Sequence, residues 1–305
     1  MMQVFFSVCI PLYNREKTIY KTLCSLSNQL FKDFNVKIVI YNCTDSTIDQ
    51  VKLFFNSNYF RENPFDYEIK YDALDYDDWN GPILIADGKY IAMLEGDDQF
   101  LPEHLKQAHS YLVNNTNVGV YCTGNQHGPR EIFGLIKSTT FFKFIFSMKA
   151  VPPPSETIFI RLDSSFNSFL YDHKSFLYAP EINLYLDIAS QGFDAYYDSF
   201  QNVWRHPSSY KQRKWMYFHD SFRIISIHKN NSIIGTKLLT ETQKLIALRT
   251  VGSYIVGLIK GEIIEPTFKK QIISEIGQIR FYYFVIYFVI VKTISIIKEK
   301  ISINV

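Results

Sequence analysis

The sequence predicts an α/β fold in which a mostly parallel sheet is flanked by helices and followed by a helical C-terminal extension. Two observations support this fold class. Short apolar runs alternate with segments of helical spacing, and polar or acidic turns follow several of those runs. Of the 305 residues, 47% are hydrophobic and 20% are charged, which is the composition of a folded chain.

The first half of the chain alternates strand and helix with short connections, which is the pattern of right-handed crossovers in a parallel sheet. The predicted elements, in order, are a strand at 4–10 ended by Pro11, a helix at 16–30 with Ile19, Leu23, Leu26 and Leu30 on one face, a strand at 36–41, a helix through Val51 and Phe55, a strand at 67–71, a short helix at 80–86 and a strand at 90–94.

The second half continues this pattern less regularly. The predicted elements are a strand at 118–122, a phenylalanine-rich region at 132–150 that forms either core or a flap, a rigid proline turn at 151–155, a strand at 157–161, an amphipathic helix at 178–189, and helices within 215–227, 238–258 and 268–276.

An acidic turn at the end of the strand 90–94 is the central feature of the sequence. Glu95, Asp97 and Asp98 surround Gly96 directly after five apolar or aromatic residues. Three carboxylates at the end of a buried strand repel one another and lose solvation. The turn is therefore either a solvated loop or a site for a divalent metal with oxygen ligands.

Polar residues also follow three other predicted strands. Because the carboxyl ends of parallel strands meet at one edge, we expect Tyr13–Asn14, Asn42–Asp45 and Asn80 to converge with 95–98 on one crevice. A GxGxxG fingerprint and a GxxxxGK[ST] loop are both missing from the sequence. A nucleotide-like ligand would then need metal for its phosphates, which favours the metal alternative.

The net charge, the cysteines and the N-terminus indicate which partners, redox state and location to expect. The net charge is +2, and no lysine- or arginine-rich block with interleaved aromatics precedes the C-terminal segment, so we expect no nucleic-acid partner. Four scattered cysteines show no zinc-ligand spacing and predict reduced thiols. The N-terminus has no basic region followed by a cleavage site, so we expect no secretory signal and a cytoplasmic location.

Three ordered motifs resemble the family 2 glycosyltransferases: residues 7–14 (SVCIPLYN), 38–45 (IVIYNCTD) and 86–98 (ADGKYIAMLEGDD). The resemblance covers residues 4–115 well and extends more loosely to about residue 210. It implies the GT-A fold, a Rossmann-like domain that binds a nucleotide sugar. The implied organisation is a donor-binding half at 1–115, an acceptor-binding half at 116–210, and a helical region at 211–305.

The resemblance also implies roles for the strand-end residues. The family's D-x-D element falls on Glu95-Gly96-Asp97, which implies that Glu95 faces the ribose and that Asp97 binds Mn²⁺ or Mg²⁺. Asp98 is a neighbouring carboxylate that either binds the same cation or supports its ligands. The residues implied for the nucleotide-sugar donor are Pro11, Tyr13, Asn14, Asn42, Asp45 and Asn80.

This sequence departs from the family's usual pattern at three places. Tyr41-Asn42 stands where an acidic residue usually contacts the base, and Asn42 offers both a donor and an acceptor to a pyrimidine instead. Glu95 replaces the first aspartate of D-x-D. The arginine that often precedes the fourth strand has no counterpart in 81–86.

Later residues resemble the family's catalytic and phosphate-binding elements. By resemblance Glu181, next to Pro180 at the start of a helix, is the general base, and Asp187 is the alternative. The stretch at Arg205-His206 resembles the family's Arg-His motif. It implies a phosphate contact for Arg205 and metal ligation for His206.

The segment 279–300 is apolar and aromatic but is interrupted by Lys292, so it is too short to span a bilayer comfortably. Two alternatives remain open: a helix in the membrane interface, or a buried helix or oligomer contact. The oligomeric state stays undetermined. Interfacial binding would place the protein on the inner face of the cell membrane.

The resemblance therefore predicts a metal-dependent, inverting hexosyl- or N-acetylhexosaminyl-transferase. Its donor is a nucleoside-diphosphate sugar, with uridine expected, and its acceptor is a saccharide or lipid-linked glycan of cell-surface polysaccharide synthesis. The alternative from another class is a non-catalytic module that binds a nucleotide sugar or glycan on the same fold.

Overall fold

A computed structural model gives the architecture of the chain. It describes residues 3–72, 80–125, 132–147, 153–161, 180–206 and 230–259, together with isolated positions between 224 and 285. The chain divides into two compact units. One comprises Met1–Ile145, Lys149–Lys174 and Pro180–Ser208, and the other Phe146–Met148, Ser175–Ala179 and Ser209–Val305.

The strands of the described residues are β1 (Phe6–Leu12), β2 (Phe34–Tyr41), β3 (Asp66–Asp72), β4 (Tyr90–Met93), β5 (Gln99–Phe100), β6 (Val118–Asn125), β7 (Gly134–Ile136), β8 (Thr157–Ile160) and β9 (Asp194–Trp204). The helices are α1 (Ile19–Ser27), α2 (Thr47–Phe55), α3 (Asn58–Glu62), α4 (Gly81–Leu84), α5 (His104–Leu112), α6 (Ser138–Phe146), α7 (Pro180–Ser190) and α8 (Thr236–Ile259), with a 3₁₀ turn at Pro154–Glu156.

The strands form one sheet in the order β3-β2-β1-β4-β8-β6-β9-β5, and β7 pairs with β9. The four strands from β3 to β4 are parallel to one another. Beyond β4 the sheet is mixed, because β8 runs antiparallel to both β4 and β6, whereas β6 and β9 are parallel. The predicted α/β class with a parallel N-terminal half is confirmed.

Burial explains why the central strands are apolar throughout. Every residue of β1 and β2 is buried, as expected for parallel strands covered on both faces. β3 lies at the edge of the sheet and is largely exposed, which accounts for its charged residues. On α1, Ile19, Leu23 and Leu26 are fully buried, but the helix ends at Ser27, and Leu30 is 55% exposed rather than on the buried face.

Several elements of the structure were not predicted individually. The phenylalanine-rich region contains β7 and α6, and Phe141 and Phe142 are fully buried, in agreement with the core alternative. The two-residue strand β5 follows the acidic turn and pairs with the end of β9. This pairing positions the site, because it places residue 205 close to the acidic turn.

The C-terminal region contains α8, which matches the helix predicted at 238–258. No helix among the described residues is long and apolar enough to cross a membrane. Apart from Val285, the segment 279–300 lies outside the described residues, as do the loop at 73–79 and most of the helices predicted at 215–227 and 268–276.

Candidate active site

The acidic turn after β4 gathers three carboxylates. Carboxylate oxygens of Glu95, Asp97 and Asp98 lie within 4.8 Å of one another. The turn is closed by the Asp98 amide, which donates to the Glu95 carbonyl oxygen at 3.0 Å. The side chains of Glu95 and Asp97 are 11% and 15% exposed, and that of Asp98 is 3% exposed. The cluster is thus mostly removed from water.

Helix α1 holds this turn in place through its central glycine. The Gly96 carbonyl oxygen accepts hydrogen bonds from the hydroxyls of Thr18 (2.9 Å) and Thr22 (3.2 Å). A Cβ at Gly96 would lie 2.7 Å from Leu12 Cδ1, closer than carbon atoms normally approach. A larger residue at position 96 would therefore displace the Leu12 side chain at the end of β1.

Arg205 lies among three acidic side chains. Its Nη2 is 3.6 Å from Glu95 Oε2, its Nε is 3.6 Å from Asp98 Oδ2, and its Nη1 is 3.8 Å from Glu156 Oε1. Glu156 also accepts a hydrogen bond from the Asn125 side-chain amide. The side chain of Arg205 is 22% exposed and that of Glu156 is 2% exposed. In this structure Arg205 is held by carboxylates, and its predicted phosphate contact stays a prediction.

The protonation behaviour of the cluster reflects an excess of negative charge. Burial raises the pKa of the Glu95 carboxyl to about 8; Asp98 and Asp97 add to this rise, and Arg205 opposes it. Burial likewise raises the pKa of Asp98, although Ser155 and the His206 amide, which donates to Asp98 Oδ1, act to lower it. Two carboxyl groups are therefore harder to ionise than in water.

These observations fit a divalent cation. Asp98 Oδ2 is buried and accepts no hydrogen bond from the described residues. The atoms available as metal ligands are carboxylate oxygens, which Mg²⁺ and Mn²⁺ prefer. A cation would restore the ionised forms of Glu95 and Asp98 by supplying the missing positive charge.

Arg15 is a second arginine of the site, and it was not identified from the sequence. Its Nε lies 3.4 Å from Asp97 Oδ2. Its Nη1 donates to the carbonyl oxygens of Tyr13 (3.3 Å) and Asn14 (3.2 Å). The side chain is 32% exposed. It therefore joins the loop after β1 to the acidic turn after β4.

The loops after β1 and β2 are joined by reciprocal hydrogen bonds. Asn14 Nδ2 donates to the Thr44 hydroxyl at 3.1 Å, and the Thr44 amide donates to Asn14 Oδ1 at 2.9 Å. Asn14 has φ +49°, in the left-handed region that asparagine tolerates better than most residues. The convergence expected from the strand order is observed for these loops.

Asp45 is engaged within the same pair of loops. Its carboxylate accepts from the Glu16 amide at 3.2 Å and from the amide and hydroxyl of Thr47 at 3.0 and 2.5 Å. Burial acts to raise the pKa of Asp45, but these hydrogen bonds hold it below its ordinary value. The structure thus gives Asp45 a loop-bracing role beside the donor contact predicted for it.

The other residues predicted to contact the donor lie at the same ends of the strands. Pro11 is buried within β1, Tyr13 is half-buried, and Asn42 is exposed directly after β2. Asn80 is the residue that precedes α4 and accepts a hydrogen bond there from the Leu84 amide at 2.9 Å.

His206 reaches the cluster through its backbone. Its amide donates to Asp98 Oδ1 at 3.0 Å, while the residue is exposed and its ring packs edge-on 5.8 Å from that of Trp204. The group of ligand atoms found among the described residues contains the three carboxylates and not the His206 imidazole. Ligation by His206 stays a prediction.

The predicted base lies in the first turn of α7, which begins at Pro180 as expected. Glu181 and Asp187 are both half-buried on this helix. Asp187 Oδ2 accepts a hydrogen bond from the Asn183 amide at 3.0 Å, so part of its acceptor capacity is used within the helix.

Ser155 and Glu156, like Arg15, belong to the site but were not identified from the sequence. The Ser155 hydroxyl accepts a hydrogen bond from the Glu95 amide at 3.0 Å, and Ser155 acts to lower the pKa of Asp98. Both residues precede β8, which pairs directly with β4. The only local signal was two polar residues between a proline run and an apolar strand.

Comparisons with known proteins agree with this architecture. The family "Glycosyl transferase family 2" matches residues 7–160. The chain is 26% identical over 242 residues to the GalNAc(5)-diNAcBac-PP-undecaprenol beta-1,3-glucosyltransferase of Campylobacter jejuni, and 26% identical over 204 residues to an uncharacterized glycosyltransferase of Mycoplasma genitalium. These alignments cover 74% and 63% of this chain. The chain spans 66% and 64% of the lengths of these two relatives.

Solved structures share the fold at low sequence identity. The structure of S. aureus TarS 1-349 in complex with UDP-GlcNAc superposes with a TM-score of 0.62 at 16% identity, covering 92% of this chain and 81% of that one. Mannosyltransferase PcManGT from Pyrobaculum calidifontis, in complex with GDP-Man and Mn²⁺, superposes with a TM-score of 0.60 at 12% identity, covering 94% and 88%. With the family match over half of its length, the chain belongs to glycosyl transferase family 2.

Proposed function

We propose that this protein is a metal-dependent, inverting glycosyltransferase that moves a sugar from a nucleoside-diphosphate donor, a UDP-sugar, to a saccharide or lipid-linked acceptor. The observation that carries the proposal is the buried cluster of Glu95, Asp97 and Asp98 at the carboxyl end of β4, in a chain of glycosyl transferase family 2. A cluster of this kind suits a cation that meets the donor's phosphates.

The relatives support the classes of donor and acceptor. Neighbours of the same fold were solved with UDP-GlcNAc and with GDP-Man and Mn²⁺, and the C. jejuni relative is named for an undecaprenol-linked substrate. We therefore place the reaction in cell-surface polysaccharide synthesis, at the cytoplasmic face of a membrane where a lipid-linked acceptor is presented.

The residues of the donor half have distinct proposed tasks. Asp97 and Asp98 would hold the cation, and Glu95 would accept a hydrogen bond from the ribose. When bound, the cation supplies Lewis-acid stabilisation of the leaving diphosphate. Tyr13 and Asn42, which lie half-buried and exposed at the ends of β1 and β2, would contact the nucleoside.

The acceptor is activated by a carboxylate of α7. Glu181 takes the proton of the acceptor hydroxyl while the acceptor oxygen attacks the anomeric carbon from the face opposite the diphosphate. The bond to the diphosphate oxygen breaks in the same step, so the configuration at the anomeric carbon inverts.

Donor binding tests this proposal. Because a ligand of the native state raises apparent stability by mass action, UDP-GlcNAc, UDP-Glc and GDP-Man are compared by thermal shift with and without Mn²⁺. We expect a UDP-sugar with Mn²⁺ to give the largest rise in Tm, and Asp97→Asn to abolish the Mn²⁺-dependent part. Asp49→Asn, an exposed acid on α2, is the matched control.

Turnover separates the enzyme from a binding module. In the presence of Mn²⁺ and a lipid extract that contains lipid-linked acceptors, the wild type should release UDP from the UDP-sugar. Asp97→Asn should release none. A donor-induced Tm rise without any release of UDP would favour the non-catalytic module. Full turnover by Asp97→Asn would overturn the metal assignment.

A further inference from the structure

Arg15 occupies a position between two parts of the proposed donor site. On one side its Nη1 donates to the carbonyl oxygens of Tyr13 and Asn14, in the loop proposed to contact the nucleoside. On the other side its Nε lies 3.4 Å from Asp97, the proposed cation ligand. In a nucleotide sugar the diphosphate connects the nucleoside to the sugar. A donor that contacts both of these parts of the site would therefore place its diphosphate near Arg15.

The two arginines of the site differ in how firmly they are held. Arg205 is 22% exposed and contacts three carboxylates whose side chains are 11%, 3% and 2% exposed. Arg15 is 32% exposed, and its partner Asp97 is 15% exposed. Moving Arg205 would leave three buried acids without their cation, whereas the ion pair of Arg15 with Asp97 lies nearer to solvent and is more readily exchanged.

Charge balance shows when Arg15 is needed at Asp97. Without a cation, the guanidinium partly compensates the carboxylates of the cluster. A divalent cation that binds Asp97 meets a positive charge already placed 3.4 Å from the Asp97 carboxylate, and that charge opposes its binding. The diphosphate brings negative charge and hydrogen-bond acceptors of the geometry that an arginine fork recognises.

We propose that Arg15 couples cation binding to diphosphate binding. In the free protein it pairs with Asp97 and weakens the binding of a cation alone. When cation and donor bind together, Arg15 exchanges Asp97 for the diphosphate and becomes a direct ligand of the leaving group. This role rests on the proposed function.

The coupling is measured by calorimetric titration of Mn²⁺ alone, and of UDP with and without Mn²⁺. For Arg15→Gln we expect Mn²⁺ alone to bind at least about fivefold tighter, and UDP with saturating Mn²⁺ to bind at least about fivefold weaker, within the usual range of site–site coupling. Arg61→Gln is the control, because Arg61 is exposed on α3 and contacts Asn58. It should leave both affinities unchanged.

A bracing role for Arg15 predicts a different result. If Arg15 only supported the loop at 13–14, Arg15→Gln would weaken UDP binding and leave Mn²⁺ binding unchanged or weaker, and this outcome overturns the proposal. If the wild type bound neither Mn²⁺ nor UDP, the proposed function itself would fail, and the coupling with it. If it bound both, only the role of Arg15 would be at issue.

Asp97→Asn tests the exchange from the other partner. Without metal, this variant should bind UDP about threefold tighter than the wild type, because its ion pair no longer holds Arg15. The gain should disappear in the Asp97→Asn/Arg15→Gln double variant. A gain that persisted in the double variant would come from the lost carboxylate charge alone and would overturn the exchange, even if Arg15→Gln by itself failed to fold.

Discussion

Replacing Arg205 by methionine removes the cation that lies among Glu95, Asp98 and Glu156 at 3.6, 3.6 and 3.8 Å. Removing one partner of a buried ion pair costs about 3–5 kcal/mol, because a charge is left uncompensated in a low-dielectric environment. Since 22% of the arginine side chain is exposed, solvent screens part of this interaction, and we expect a loss of about 3 kcal/mol.

The loss should depend on pH in a defined direction. The pKa of Glu95 is raised to about 8 in the folded protein, with Arg205 opposing the rise, so the Arg205→Met variant has a still higher pKa there. A folded-state pKa above the unfolded value gives stability that is fully present below the unfolded pKa and is lost as pH rises through the folded pKa. The deficit should therefore be small near pH 5, grow as pH rises through about 8, and be largest above the still higher pKa of the variant.

Thermal unfolding followed by circular dichroism, without metal, measures this effect. A domain of this size loses about 2–4 °C in Tm per kcal/mol, so the variant should melt roughly 6–12 °C lower at a pH well above 8, where Glu95 is ionised in the wild type. Arg61→Met is the control on an exposed arginine and should melt like the wild type. A variant as stable as the wild type at both pH values would show that the three contacts do not compensate these acids.

Two further predictions concern the acceptor side and the C-terminal segment. Glu181→Gln should bind UDP-sugar normally but transfer the sugar about 10²–10⁴-fold more slowly, because the general base is lost. Asp187→Asn should retain most of the transfer activity in the same radiolabelled-sugar assay. The opposite pattern would assign the base to Asp187. Removal of residues 279–305 should reduce co-sedimentation with anionic liposomes, because an interfacial helix with lysines binds through its apolar face and its charge. Equal pelleting with and without the segment would exclude a membrane anchor there.

The order of elements and the location of the candidate site were accessible from local sequence. Continuous apolar runs such as Ile38–Tyr41 predict strands buried on both faces, and the carboxyl ends of parallel strands lie at one edge of the sheet. The acidic residues after Tyr90–Leu94 therefore had to lie where a ligand can approach. The resemblance to family motifs then predicted a specific role for each of these residues.

The partners of these acids depended on tertiary structure. Local periodicity describes one element at a time and contains no information about which strand inserts beside which. β8 pairs with β4, and this brings Ser155 to Glu95 across 60 residues of sequence. β9 ends beside β5, and this brings the His206 amide to Asp98 across 108 residues.

The two arginines of the site also show the difference between what local sequence predicts and what tertiary structure decides. Arg205 was recognised next to a histidine and expected at phosphate, but the sheet order places it among three carboxylates. Arg15 gave no signal of its own, because an arginine after a turn is ordinarily a solvated side chain. Its contact with Asp97 exists only because β1 and β4 are neighbours in the sheet, so the loops that follow them lie within reach of one ion pair.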